Sequence, residues 1–259
     1  MAAPAPTLDD IRAEIDRIDQ AVHDLLMRRV EVVRRIGKVK GASQPKWRPA
    51  REAALIRRLV ARHKGEMPIG VLVRIWREMI VGGSLALQEA VTVSVDESRR
   101  DLARDHFGSA VPFKSRASAA QVVRDVASGK ATIGVVPAPA AGDPWWRLLA
   151  AEDAPKVVAL LPFAGAGKAR AAAIARVAFE PSGSDRSLFV VEPVRGTAVA
   201  LLRKAGLPVR RIAQDRQREL VEVAGFVGED DARFQALKEN PDLRRIAAIG
   251  GYADLLSRS

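Results

Sequence analysis

The sequence predicts a multidomain α and α/β chain: three helices over residues 1–90, then an α/β region over 91–173, then a closing βαββαβ unit over 174–259. Three observations carry this. Residues 7–40 space their apolar side chains by threes and fours, at Leu8, Ile11, Ile15, Ile18, Val22, Leu25, Val32, Ile36 and Val39, which is sustained helical periodicity. From Val91 the texture changes to short β-type runs alternating with helical ones, the pattern of layered α/β architecture. The last stretch orders its runs as strand, helix, strand, strand, helix, strand.

The first helix is expected from Thr7, where Thr7 and Asp10 have the spacing of a capping box, to about Lys40. Its apolar row breaks once, at Arg29, and a charge on a buried row needs a partner. Arg29 and Lys40 lie close to three whole turns apart and share a face, whereas Arg12 lies about 25 Å from Arg29 along the axis. Residues 41–49 read as a turn, because Pro45 and Pro49 block helix continuation. A second helix should follow Pro49 to about His63, with Arg51 and Glu52 in its first turn.

A third helix is expected over residues 68–89, with Ile69, Leu72, Ile75, Trp76, Met79, Ile80 and Leu87 on its apolar side. Gly82 and Gly83 in its middle cost about 1 kcal/mol each relative to alanine. Close packing of another element, or room for a ligand beside Ser84, would each account for them. Ser84 and Gln88 are four apart and face the same way.

Beyond Val91, strands are expected at 91–95, 111–115, 131–137 and 157–163, with helices to about His106 and over 117–128, in a largely parallel sheet. The Ala/Gly-rich residues 164–173 read as a loop or linker. In the closing unit, strands are expected at 187–193, 209–214, 219–227 and 243–252, with helices near 197–205 and 230–240. This order is the ferredoxin-like arrangement.

The 259 residues carry no cysteine, which removes disulfides and thiolate metal sites and fits a reducing compartment. Neither a leader-like N-terminus nor a run of membrane-spanning length is present in the sequence, so a cytoplasmic protein is expected, with no membrane partner. The net charge of +11 is spread: residues 1–90 hold 17 basic and 11 acidic residues, for +6, and the remainder contributes +5. Spread charge with only 5% aromatics argues against nucleic acid and is compatible with anionic small substrates. His23, His63 and His106 have no mutual ligand spacing, so no metal and no cofactor is expected.

The combination Ile11-Arg12, Ile15-Asp16, Ile18-Asp19, Leu25-Leu26, Arg29, Gly37-Lys38-Val39-Lys40, Arg51-Glu52, Ser84 and Gln88 resembles the all-helical class of chorismate mutases. The resemblance implies a three-helix domain forming an intertwined homodimer, with chorismate as substrate and Arg12 contributed across the interface. It also implies roles: Arg12, Arg29 and Arg51 on the substrate's carboxylate side, Lys40 and Gln88 donating to the ether oxygen, Glu52 accepting from the ring hydroxyl, and Ser84 assisting a carboxylate. Arg48 stands where the family's bacterial pattern often has Asp, so it either turns outward or meets a substrate carboxylate. The chemistry suits these residue types. A unimolecular pericyclic rearrangement needs a held conformer and stabilised charge on the breaking bond, and arginines grip carboxylates bidentately.

The remainder resembles a degenerate prephenate dehydratase followed by the amino-acid-sensing ACT domain, on residues 129–137, the run Val221-Glu222-Val223-Ala224-Gly225-Phe226-Val227 and the tail Ile249-Gly250-Gly251-Tyr252. Where such dehydratases carry a Gly-Thr-aromatic-Ser/Thr loop, an Asn-Ser and a Thr-Arg-Phe motif, this chain has Asp96-Glu97-Ser98, Ala138-Pro139-Ala140 and no threonine over 164–190. The expectation is therefore a mutase without dehydratase chemistry. Two alternatives stand beside it: an isochorismate pyruvate lyase, which would use the same cationic fold, and a non-catalytic regulatory subunit that binds a chorismate-like metabolite.

Overall fold

The computed structural model describes residues 6–40, 46–164 and 170–256, with the side chain of Lys40 outside the description; residues 41–45 of the expected turn and 165–169 of the expected loop also lie outside it. The chain divides into two compact units, Met1–Lys46 and Trp47–Ser259.

The first unit is built on helix α1, Leu8–Lys40, whose 33 residues give a rod about 50 Å long. Its start is set by the reciprocal cap predicted from the sequence: Thr7 N–H donates to Asp10 Oδ2 at 2.9 Å and Asp10 N–H donates to Thr7 Oγ1 at 3.2 Å. The Thr7 hydroxyl also donates to Asp10, and these bonds hold the Asp10 carboxyl below its ordinary range. The nine apolar residues from Leu8 to Val39 are 39 to 88% exposed.

In the second unit, α2 (Pro49–Arg62) begins with proline in its first turn, where the missing N–H costs nothing. Helix α3 (Ile69–Ile80) follows, and the chain then widens into a π-helical turn, Val81–Leu85, instead of continuing as α-helix to residue 89. The two glycines sit in that turn. A Cβ on Gly82 would meet Ala110 Cβ at 3.0 Å, whereas one on Gly83 would meet nothing within 4 Å. Close packing thus accounts for the first glycine only. The buried face of α3 matches the expected one only in part: Ile80 is buried as expected, but so is Arg77, while Ile75 and the later Leu87 are exposed.

A nine-stranded mixed sheet carries the rest, in the order β2-β1-β3-β5-β4-β9-β6-β8-β7. Its first half holds β1 (Val93–Asp96), α4 (Arg100–Phe107), β2 (Phe113–Arg116), α5 (Ala119–Ala127), β3 (Ile133–Pro137), β4 (Lys156–Leu161) and β5 (Ala171–Ala175). The pairs β1–β2 and β1–β3 are parallel, as helical crossovers require. The expectation of a largely parallel sheet fails at β5, which runs antiparallel to both β3 and β4. That strand reads AAAIA and ends the stretch expected to be a loop. Alanine is a weak strand former, so local propensity concealed β5, and burial of all five residues overrides it. A short 3-10 segment, Trp145–Ala150, packs two buried tryptophans between β3 and β4 in sequence.

The closing unit is β6 (Asp185–Pro193), α6 (Ala198–Lys204), β7 (Val209–Asp215), β8 (Arg218–Ala224), α7 (Ala232–Lys238) and β9 (Leu243–Ala253). Its strands lie in the order β9-β6-β8-β7, all antiparallel, which is the expected ferredoxin-like βαββαβ arrangement. It joins the first half where β4 and β9 run parallel with Val157 opposite Gly250. Gly250 has φ +105°, and a Cβ there would stand 2.1 Å from the Val157 carbonyl oxygen, so only glycine allows this approach. Lys156 Nζ donates to the Ala248 carbonyl at 2.7 Å across the same joint.

The helical hairpin is not independent of this sheet. Ile56, Ile80, Val81 and Leu85 share one apolar cluster with Val93 and Val95 of β1, Phe107 of α4 and Leu161 of β4. Arg57 of α2 fastens the hairpin further, donating to Ser182 Oγ at 2.9 Å, the Ser184 carbonyl at 2.7 Å and the Asp254 carbonyl at 3.0 Å.

Candidate active site

Glu52 stands in the first turn of α2, and Arg77 one turn before the end of α3. Packing of the hairpin brings them together: Arg77 Nη1 donates to Glu52 Oε2 at 3.0 Å, with side chains only 6% and 11% exposed. Trp47, Glu52, Arg77, His106 and Phe163 enclose a void of about 10 Å³, close to the lower limit for holding one water. The Arg77 guanidinium also stands over the Phe163 ring, 5.5 Å from its centroid.

Burial dominates the electrostatics here. It pushes the Glu52 carboxyl up to about 7, against the opposing pull of the Arg77 charge. The Trp47 indole N–H also favours the charged carboxyl but falls short of a good hydrogen bond. Arg77 is lowered by the same burial, partly offset by Glu52. His106 is held well below its ordinary value, first by burial and then by the Arg77 charge. A carboxyl that titrates near neutrality can accept or donate a hydrogen bond according to pH, a property associated with functional sites.

The other residues singled out in the sequence fall as follows. Arg12 is exposed and paired with Asp9 at 3.3 Å. Arg29 is half-buried, and burial lowers its pKa. Lys40 is the last residue of α1. Arg48 caps the start of α2 and turns to Glu180, with Nε at 3.1 Å and Nη2 at 3.0 Å from Oε2. Arg51 is exposed in the first turn of α2. Ser84 Oγ donates to the Met79 carbonyl at 3.0 Å, inside the π-helical turn. Gln88 Nε2 donates to the Ser84 carbonyl at 3.1 Å, while its Oε1 is buried with no acceptor role filled among the described residues. The structure thus brings Ser84 and Gln88 together, and gives Arg48 and Glu52 protein partners.

Arg77, Trp47 and His106 have no site role in the sequence pattern. For Arg77 a signal exists: it stands four residues from both Val73, which is partly buried, and Val81, which is fully buried. Counting only apolar residues hides a charge that completes such a row. Nothing local marks Trp47 or His106.

Comparison with known proteins finds relatives of the chain. The bifunctional chorismate mutase/prephenate dehydratase of Stutzerimonas stutzeri is 32% identical over 143 residues, covering 51% of this chain and 39% of that protein. The protein of the same description from Pseudomonas aeruginosa is 29% identical over 140 residues, covering 50% and 38%. The chain therefore spans well under half the length of these curated relatives. Among solved structures, a prephenate dehydratase in complex with L-Phe from Arthrobacter aurescens aligns with 63% of this chain and 90% of that one, at 11% identity and a TM-score of 0.48. Residues 11–89 match the family model of chorismate mutase type II, so the helical N-terminal part of the chain, α1 through Gln88, carries that family's pattern.

Proposed function

We propose that the protein is a chorismate mutase, an isomerase that converts chorismate to prephenate in phenylalanine and tyrosine biosynthesis, acting as a cytoplasmic homodimer without metal or organic cofactor. The observation that carries this is the family match over residues 11–89, a span that holds Arg12, Arg29, Lys40, Arg51, Glu52, Ser84 and Gln88, the residues to which the sequence resemblance gives roles. In this reading Arg12, Arg29 and Arg51 fix the two carboxylates in the reactive conformer, which supplies the entropic part of the acceleration. Lys40 and Gln88 aim donors at the ether oxygen, where charge grows as the bond breaks. Glu52 meets the ring hydroxyl and exchanges its Arg77 partner for substrate, and Arg48 is left to Glu180.

The homodimer is supported by α1 itself. A 33-residue helix with nine exposed apolar residues in helical register has a stripe that needs covering, and a second copy of the same helix matches its length and pattern. The relatives' second activity is not carried over. In place of the dehydratase loop, β1 leads into a 3-10 turn in which Asp96 caps Ser98 N–H at 3.1 Å, and β3 leads into Ala138-Pro139-Ala140.

The test is turnover of chorismate, isochorismate and prephenate by the purified protein, with products identified. Prephenate from chorismate is expected. Pyruvate from isochorismate alone would make it a lyase, no turnover of either would make it a binding subunit, and phenylpyruvate would restore the dehydratase.

A further inference from the structure

Beside Arg77, a cavity of about 150 Å³ opens between α3, α4 and the chain segments that follow β4 and precede β5, sharing Arg77, His106 and Phe163 with the small void at Glu52. A cavity of that size accepts a single six-membered ring. Its lining is divided: Val73, Leu102, Pro162 and Phe163 are apolar, while Arg74, Arg77 and Arg170 bring three guanidiniums. Asp105 is the one carboxylate of the lining among the described residues, and it lies 3.7 Å from Arg74. His106 completes the wall as a neutral imidazole, since burial and the Arg77 charge both oppose its protonation.

Arg77 is the decisive group. Its Nη1 is committed to Glu52, but its Nε–H is buried with no acceptor among the described residues. That Nε is closed to a water-sized group, so Arg77 acts on the cavity through its buried charge, which an anion beside it would stabilise.

We propose that this cavity binds a small carboxylate with a flat apolar body, whose carboxylate meets Arg74 and Arg170 beside the Arg77 charge and whose body lies against Phe163, Leu102 and Val73. Arg170, exposed at the rim, draws the anion in. The ligand carries no ammonium group, because such a group would face three guanidiniums and only one carboxylate, which Arg74 already engages. None of the proposed mutase residues is in its lining, and Glu52 touches it only through its bond to Arg77.

Calorimetric titration of the full-length protein with benzoate, benzamide and benzylamine tests this. Benzoate is expected to bind saturably at one per chain, and the neutral and cationic rings at least tenfold more weakly. Arg74→Ala and Arg170→Ala, both on exposed side chains, should each weaken benzoate by roughly tenfold, the worth of a charge-assisted contact. Arg12→Ala, in the proposed mutase set and outside this cavity, should leave benzoate binding unchanged. Equal binding of benzoate and benzamide, indifference to both rim substitutions, or no saturable benzoate binding would each overturn the proposal. Loss of benzoate binding in Arg12→Ala alone would do the same, by assigning the anion to the mutase residues.

Discussion

Arg77 Nη1 and Glu52 Oε2 lie 3.0 Å apart where neither side chain is more than 11% exposed, so each is the other's principal compensation for leaving water. A buried pair of this kind contributes little net stability, yet breaking it from one side leaves an uncompensated charge. Arg77→Met is therefore expected to destabilise the protein by about 3–5 kcal/mol at a pH well above the Glu52 pKa, and by less at and below neutrality, where Glu52 takes up a proton. Adding Glu52→Gln to it should recover a large part of that loss, because both charges are then gone. Urea unfolding of the single and double variants measures the coupling; additive losses would show that the two side chains do not compensate each other.

The same pair makes stability depend on pH in a window of its own. Folded Glu52 titrates near 7 against an ordinary value of 4.5, so between those values the folded state holds the extra proton. This contribution to stability is complete below about 4.5 and is lost as pH rises through 7. His106 works in the opposite direction in part of that range, because its lowered pKa favours folding as pH rises. The difference between wild type and Glu52→Gln isolates the Glu52 part. That difference should shift by at most about 3 kcal/mol from pH 4.5 to 7.5, in favour of the variant at the higher pH. A pH-independent difference would contradict the raised pKa.

For catalysis, Lys40→Ala and Gln88→Ala are expected to lower kcat by roughly 10²-fold or more while KM changes little, since donors aimed at the ether oxygen act chiefly in the transition state. Unchanged kcat in both variants would remove those roles. Gln88 is held by Ser84, and Ser84→Ala should have a much smaller effect on kcat: the contact it makes to Gln88 comes from its backbone carbonyl.

The helices and most of the strands were legible because their signals are local. The Thr7–Asp10 cap, the period of α1, the prolines around α2 and the βαββαβ rhythm of the closing unit each need only a few neighbouring residues. Strand β5 was not legible, because AAAIA looks like linker until β3 and β4 flank it. The pairing of Glu52 with Arg77 was hidden for a related reason. It spans 25 residues of sequence, and it depends on which face of α3 is buried, a choice made by β1, α4 and β4 and not by α3's own apolar pattern.

Arg12 and Arg29 are about 25 Å apart along α1, too far for one small dicarboxylate to meet both on the same helix. In the proposed dimer an antiparallel partner helix supplies the second arginine. Arg12→Ala and Arg29→Ala homodimers are each expected to be inactive. Co-refolding them should restore about one intact site per heterodimer, read as recovered prephenate formation. Verified subunit exchange without recovery would rule out a shared site.

The packing of the hairpin bears on whether residues 1–90 suffice for the chemistry. All the proposed mutase residues lie before Val91, which favours a self-sufficient fragment. Against this, Ile56, Ile80, Val81 and Leu85 are buried in the cluster completed by β1, α4 and β4, and Arg57 spends its hydrogen bonds beyond residue 180. Full burial of four such side chains stabilises by roughly 6–12 kcal/mol in all, comparable to the whole stability of an ordinary domain. Cutting at Ala90 would also leave the Arg77 and Glu52 charges nearer to water, so the reason for the raised Glu52 pKa would go with the cut. A fragment ending at Ala90 is therefore expected to lose most of its α2–α3 helicity by circular dichroism, to aggregate through the uncovered apolar face, and to show at least tenfold less mutase activity than the full chain. A soluble fragment with full activity would mean that α2 and α3 find an equivalent burial within the helical dimer, and that the α/β region only covers a surface the catalytic unit can do without.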